Sequence, residues 1–351
     1  MFPESFAEHW IGKLTKPGEV ILDPFCGRGT APFQAVLMER NAIGSDINPV
    51  AYCITRAKTN APTPAALRAR ITSLERAYCP PDHRDEEDQL PEFFQYAFSP
   101  TTLNQLLFLR SRLKWDRSDV DCMLAALVLG SLHGESARSP SYLSNQMPRT
   151  ISTKPAYSIR YWQKHNLNPP LRDAFGLLRN RVTYRYASEP PSLQATVLCS
   201  DMRELSRQST ITTQDVRTVI TSPPYLDITN FEEDQWLRLW FLGGPPNPTR
   251  NRISNDDRHY GLDSYWSMIA DMWRTLGRVL APNSDVVLRL GFKQLSPQRI
   301  ADGVLGAAAL SKRQVRLISH EASDIQKRQT GSFRPGSKGC LREVDVHLKV
   351  A

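Results

Sequence analysis

Val20-Ile21-Leu22-Asp23-Pro24-Phe25-Cys26-Gly27-Arg28-Gly29-Thr30 is an apolar run that stops on an acid and turns on two glycines. Three apolar residues closed by Asp-Pro read as the end of a short buried strand. A helical pattern follows from about Ala31 to Arg40, and then a second strand, Ala42-Ile43-Gly44-Ser45, which also ends on an acid, Asp46. Strand, glycine turn, helix and strand within about thirty residues is the βαβ unit of a parallel, doubly wound sheet. The fold class expected is α/β. Glycines placed directly after a strand let a ligand approach the backbone at the start of the next helix. A dinucleotide fingerprint needs a third small residue at position 32, where the chain has Pro32, and no GK[ST] phosphate loop occurs. The spacing therefore suits a cofactor without a pyrophosphate.

Outward from that unit the patterning changes twice. Ala61 to Pro91 is rich in proline and charge, with the run Asp85-Glu86-Glu87-Asp88, and reads as a solvated connection. Phe93 to about Arg185 is helical, with Leu103, Leu106 and Leu107 at helical spacing and an apolar helix from Cys122 to Leu132. Strand signals return at Ala195 to Cys199, ending at Asp201, and at Thr218-Val219-Ile220. A helix from Tyr265 to Leu280 precedes a strand from Asp285 to Leu290. Arg316 to His320 and Glu343 to Val350 could close the sheet as a hairpin. The expected organisation is a split α/β domain, 1–60 and 191–351, carrying a helical insertion over 61–190.

Composition narrows the function classes. A chain of 351 residues can bury a substantial core. Lys and Arg outnumber Asp and Glu by 44 to 36, which favours a polyanionic partner only weakly. No apolar run approaches the ~18 residues of a membrane span, and Met1 to Ser5 lacks the basic and apolar regions of a secretion signal. The six cysteines form no CxxC pair, which speaks against a structural zinc site and a disulfide framework. A soluble, cytoplasmic, basic enzyme is the expectation.

Two acids and one further loop carry the candidate chemistry. Asp46, at the end of the second strand, can accept hydrogen bonds from ribose hydroxyls or cap the helix that begins near Asn48. Asp201 can meet an adenine edge or cap the turn Met202-Arg203-Glu204. In Thr221-Ser222-Pro223-Pro224-Tyr225 two prolines fix the backbone and remove two N–H donors. A serine and a proline carbonyl can both accept hydrogen bonds from one –NH2 group. They would draw a conjugated, poorly nucleophilic base amine toward a pyramidal geometry. Tyr225 offers a face for an extruded base, worth about 1–3 kcal/mol.

These strings resemble those of S-adenosylmethionine-dependent DNA amino-methyltransferases. Asp23-Pro24-Phe25-Cys26-Gly27-Arg28-Gly29-Thr30 is similar to that family's cofactor loop and Thr221 to Tyr225 to its catalytic loop. Phe2-Pro3 with Phe6 is similar to its FP segment. The resemblance implies a Rossmann-like methyltransferase fold with S-adenosylmethionine as cofactor and no metal. It implies cofactor contacts from Phe2, Pro3, Asp23, Pro24, Phe25, Gly27, Gly29, Thr30, Asp46 and Asp201, and catalysis by Ser222, Pro223, Pro224 and Tyr225. Serine at the head of the loop favours the N(4)-cytosine branch over N(6)-adenine. A carbon-5 mechanism is disfavoured, since no cysteine follows a proline. An RNA base-amine methyltransferase and a catalytically silent DNA-binding module are the other readings. The long insertion ahead of Asp201 departs from the family's usual arrangement, which leaves the role of Asp201 open.

Charge points to where duplex DNA would lie. From Arg138 to Arg185 there are nine cations against Asp173 alone, a surplus equal to that of the whole chain. Tyr142, Tyr157, Tyr161, Trp162, Tyr184 and Tyr186 are interleaved with them. Arg149, Lys154, Arg160 and Lys164 are the DNA-binding candidates, with the insertion as a target-recognition region. The alternative is an ordinary solvated face. A second basic stretch from Lys327 to Lys338, a relay acid among Asp227 to Asp234, and a lid containing His259 and Tyr260 are weaker candidates. The sequence leaves open the target site, a cognate restriction endonuclease and homodimerisation.

Overall fold

The computed structural model describes residues 2–80, 89–134, 142–147, 154–226, 231–250, 252–254, 261–292, 295–324 and 342–351. Two compact units emerge. The first comprises 1–60, 191–229 and 253–351, and the second 61–190 and 230–252.

The first unit is built on one seven-stranded sheet. Its strands are β1 (Val20–Asp23), β2 (Asn41–Asp46), β3 (Thr196–Cys199), β4 (Val216–Thr221), β5 (Leu280–Phe292), β6 (Val315–Asp324) and β7 (Arg342–Val350), in the order β3-β2-β1-β4-β5-β7-β6. The first five run parallel, and β7 is antiparallel to both β5 and β6. The order reverses at β1, where the next strand in the sequence lies on one side and β4 on the other. In an open α/β sheet that reversal leaves a crevice at the carboxyl ends of the strands. Asp23, at the end of β1, and Thr221, at the end of β4, both lie there.

Alternation along the strands separates two cores. Leu22, Val219, Val286, Leu288 and Leu290 face the helices Leu262–Val279 and Pro297–Ala308. Ile21, Ile220 and Val287 face the helices Glu4–Leu14 and Thr30–Leu37. The Leu262–Val279 helix presents Tyr265, Met268, Ile269, Met272, Trp273 and Leu276 on one stripe, the amphipathic spacing of a helix lying on a sheet. The expected α/β, doubly wound class is the observed one, and Arg316 to His320 pairs with the last strand as the expected hairpin.

Two boundaries differ from the sequence reading. Ala61 to Pro91 is not simply a connection, because Pro64–Ala77 is a helix with Leu67, Ile71 and Leu74 buried. Proline at its first position is compatible with a helix start, and the Thr63 side chain accepts from the Ala66 N–H. The Asp85 to Asp88 run lies outside the described residues. The second unit also takes 230–252 from the stretch assigned to the α/β domain. Aromatic packing explains this: Phe93 meets Trp236 at 5.0 Å and Phe94 meets Trp240 at 4.6 Å. Arg110 Nε also donates to the Trp240 carbonyl at 2.8 Å.

Candidate active site

Asp23 is 1% exposed at the end of β1. Its Oδ1 accepts from the Phe25 N–H at 3.1 Å and from Thr221 Oγ1 at 2.5 Å, while Oδ2 is buried without a hydrogen-bond partner. Burial pushes its carboxyl up to about 7, with the negative charge of Asp46 adding to the effect and the two hydrogen bonds opposing it. An orphaned carboxylate oxygen in a strand-end crevice is the kind of group that a cationic or hydrogen-bonding ligand satisfies.

The following loop is held by its own backbone. Cys26 N–H donates to the Ser45 carbonyl at 2.9 Å and Gly29 N–H to the Cys26 carbonyl at 2.7 Å. Gly27 and Gly29 have φ of +52° and +76°, a region that L side chains rarely adopt. A Cβ on Gly29 would also lie 2.7 Å from Thr55 Oγ1 and Cγ2. Thr55 Oγ1 donates to the Gly27 carbonyl at 3.0 Å, so Thr55 clamps the turn. Pro32 packs over Gly44 of β2, where a Cβ would lie 2.9 Å from the proline Cγ. Glycine is therefore required on the strand, while the helix position carries proline.

Asp46 closes the loop from β2. Its Oδ2 accepts from the Gly27 N–H and its Oδ1 from the Asn48 N–H, both at 2.9 Å. Each oxygen keeps a further lone pair for a hydroxyl. Burial raises its carboxyl, and the two backbone bonds oppose that rise. The Asn48 side chain, not Asp46, caps the next helix, Pro49–Thr59. Asp201 stands at the end of β3, where its Oδ1 accepts from the Arg203 N–H at 2.8 Å and its carboxylate pairs with the Arg203 guanidinium at 2.6 Å. That is the capping role.

Phe2 and Phe6 are buried edge to face at 4.8 Å, whereas Pro3 is exposed and precedes the first helix. Pro24 is buried, and Phe25 and Thr30 are partly open. In the second loop Pro223 is buried and Ser222 and Pro224 are half-buried. Ser222 Oγ donates to the Arg289 carbonyl at 2.9 Å, which leaves the oxygen's lone pairs for a donor. Tyr225 is 8% exposed and its hydroxyl donates to Glu343 Oε1 at 2.7 Å. Burial, reinforced by the Glu343 charge, raises the phenol well above its usual range. Little of the ring is open to a base, in contrast to the free stacking face anticipated from sequence.

Sequence reading missed Arg289, Glu343 and Asp345. Arg289 Nε and Nη2 bind Asp345 at 2.6 and 2.7 Å, and Nη1 lies 3.4 Å from Glu343. Burial alone would lower its pKa, but the two carboxylates outweigh that and raise it. A signal was present. Arg289 is the one charge in the apolar run Val286 to Phe292, and Glu343 to Val350 alternates polar and apolar at period two.

The DNA-binding candidates sit in the second unit. Lys154 precedes the helix Pro155–Lys164, and Lys154, Arg160 and Lys164 are exposed and form no ion pair with another described residue. Tyr157 and Tyr184 are 54% and 80% exposed. Trp162 belongs to the core, because Ser158 and Trp162, four residues apart, form the inward face of that helix. Arg172 and Arg179 are engaged internally, with the Tyr142 carbonyl and with Glu75. Glu232 is a buried acid that accepts from Thr249 and from the Arg252 N–H, not an exposed helix-start residue. Arg149, Asp227, His259, Tyr260 and the stretch from Lys327 to Lys338 lie outside the described residues. Among the described residues no group of His, Cys, Asp or Glu could hold a metal ion, and no helix is long and apolar enough to cross a membrane.

Sheet order, the glycine turn after β1 and the acid closing β2 together define a Rossmann-like, doubly wound α/β fold with a ligand crevice at its strand ends. Residues 1–56 match the family model described as DNA methylase, and over that stretch the chain is similar to amino-methyltransferases. No curated protein matches the sequence. Among solved structures, TrmN from Thermus thermophilus is 10% identical with a TM-score of 0.39, covering 100% of this chain and 49% of that one. This chain thus spans about half the length of TrmN. The rRNA methyltransferase aviRa from Streptomyces viridochromogenes is 14% identical with a TM-score of 0.37, covering 99% and 85%. A putative methyltransferase from Streptococcus mutans, solved in complex with SAH, is 6% identical with a TM-score of 0.35, covering 100% and 99%. All three TM-scores are low, and the fold rests on the sheet order itself.

Proposed function

We propose that the protein is an S-adenosylmethionine-dependent DNA methyltransferase that modifies the exocyclic amine of cytosine in duplex DNA. The observation that carries this is the bond between Thr221 and Asp23. It ties the loop suited to a cofactor to the loop suited to an amine by one buried contact of 2.5 Å. The residues fit the cofactor: Asp23 Oδ2 is an orphaned acceptor, the positive-φ glycines leave backbone open to a ligand, and Asp46 retains lone pairs for ribose hydroxyls. When bound, S-adenosylmethionine supplies an electrophilic methyl group on a sulfonium.

The chain's own residues then hold and orient the amine. Ser222 donates its hydroxyl hydrogen bond to the Arg289 carbonyl and can therefore meet an amine N–H as an acceptor. Pro223 and Pro224 fix the loop with no N–H of their own. Two acceptors on one –NH2 draw it out of conjugation, so that its lone pair is available for in-line attack, and the proton the nitrogen then sheds passes to water or a nearby carboxylate. Reaching a base inside a duplex requires flipping it out, at a few kcal/mol. Lys154, Arg160 and Lys164 would meet the phosphates. Serine in place of aspartate or asparagine at the head of the loop is what favours cytosine over adenine.

The test is labelled-methyl transfer to DNA and to RNA by the wild type and by Ser222→Ala. The variant should bind S-adenosylhomocysteine normally and turn over about ten- to hundred-fold more slowly on DNA. Unchanged turnover removes the assigned role of Ser222. Transfer confined to RNA replaces the substrate class.

A further inference from the structure

β7 alternates strictly: Val344, Val346, Leu348 and Val350 face one core, and Glu343, Asp345, His347 and Lys349 face the other way. The polar face of a terminal strand usually meets water, but this one is covered. Helix Glu4–Leu14 lies over it, with Trp10 against His347 at 5.1 Å and Phe6 beneath the Arg289 guanidinium at 3.9 Å. Arg289 is the cross-strand partner of Asp345, and Glu343 opposes Gly291 two residues further along the same face. The Arg289 side chain is 9% exposed, so a guanidinium and two carboxylates are held in the core behind the second loop.

Burying three charges lowers the stability of a core unless geometry and hydrogen bonds are good, and an apolar set of the same volume is often as stable. These three are arranged around the loop. The Arg289 main-chain carbonyl accepts a hydrogen bond from the Ser222 hydroxyl, and its guanidinium holds Glu343, which accepts one from the Tyr225 hydroxyl. One residue therefore grips both ends of Ser222 to Tyr225. Its ring contact with Phe6 ties the N-terminal helix to the same point.

We propose that Arg289 and Glu343 are positioning residues that anchor Tyr225 and thereby hold the loop that presents Ser222 to the amine, an inference that rests on the function proposed above. Neither touches the substrate. Glu343 fixes the tyrosine end of the loop, the Arg289 guanidinium fixes Glu343, and the main-chain carbonyl at the same position receives the Ser222 hydroxyl.

The experiment is a double-mutant cycle on the full chain with Tyr225→Phe and Glu343→Ala, read as labelled-methyl transfer to DNA, melting temperature and calorimetric binding of S-adenosylhomocysteine. Each single variant should lower kcat about tenfold, with S-adenosylhomocysteine affinity unchanged. The double variant should lose far less than the product of the two single losses, because both remove the Tyr225–Glu343 contact. The same non-additivity should appear in melting temperature, with no substrate present. Glu343→Gln, whose amide oxygen can still accept from Tyr225, should recover most of the rate. If Glu343→Ala fails to fold, Arg289→Lys takes its place: it keeps the charge, loses the fork, and should leave Tyr225→Phe without further effect on kcat. Additive losses, or a rate loss matched by lost S-adenosylhomocysteine affinity, overturn the positioning role. An active wild type with an equally active Glu343→Ala overturns this inference alone. A wild type that transfers no methyl to DNA or RNA overturns the proposed function and this inference together.

Discussion

Replacing Asp23 by asparagine should stabilise the ligand-free protein while removing its affinity for cofactor. The carboxyl is pushed from its ordinary 3.8 to about 7 by burial, and one of its oxygens has no partner. Below about pH 4 the acid is protonated in folded and unfolded chains alike, so it is neutral to stability. Between pH 4 and 7 the unfolded chain releases the proton and the folded chain keeps it, so stability falls as pH rises. Above about pH 7 the folded chain carries the charge and the loss levels off. Held as a buried anion, the group costs about 4 kcal/mol at pH 8, an upper bound because the site can relax. Asparagine keeps an oxygen for Thr221 and Phe25 and has no charge to bury, though its amide takes the unpartnered position. Denaturant melts of both proteins from pH 4 to 9 isolate the residue, since every other group is common to the two curves. The variant should be the more stable at pH 8 by about 2 kcal/mol or more, with the difference shrinking toward pH 4. Calorimetry should show its S-adenosylhomocysteine binding lost or greatly weakened. A variant that is less stable at pH 8, or a difference independent of pH, refutes the reasoning that Asp23 is an uncompensated buried acid.

Gly29→Ala places a Cβ at φ +76° and 2.7 Å from Thr55, so it should lose at least about 1–2 kcal/mol in a denaturant melt. Thr55→Ala in the same chain should recover the part due to the clash. Substituting Lys154, Arg160 and Lys164 together by alanine should weaken DNA binding and lower the slope of log affinity against log salt by about three, read by anisotropy titrations. An unchanged slope makes that helix face a solvated surface.

The βαβ unit was legible because strand ends, glycines and acids are punctuated by local chemistry. Val20 to Asp46 reads correctly from period and turn residues alone. Pro64–Ala77 was hidden because it lies inside a longer stretch rich in proline and charge, and its buried stripe of Leu67, Ile71 and Leu74 is only three residues wide. The transfer of 230–252 to the second unit depends on Trp236 and Trp240 meeting Phe93 and Phe94, a contact between segments about 140 residues apart that no local pattern encodes. At the site, Asp23, Gly27, Gly29 and Asp46 converge as their spacing implied. Ser222 is half-buried and Tyr225 buried after β4, and their partners come from β5 and β7, far along the chain. A lone arginine in an apolar strand signals that a partner exists without naming it. Trp162 shows the opposite error, because interleaving with cations in sequence does not decide which side of a helix a ring occupies.

The central claim is the transfer of a methyl group to the amine of cytosine in duplex DNA. Incubation of the purified protein with unmethylated genomic DNA and S-adenosylmethionine, followed by nucleoside mass spectrometry, tests it most directly. The account expects N4-methylcytosine, abolished in Asp23→Ala and reduced in Ser222→Ala. N6-methyladenine in its place, or no methylated base at all, contradicts it.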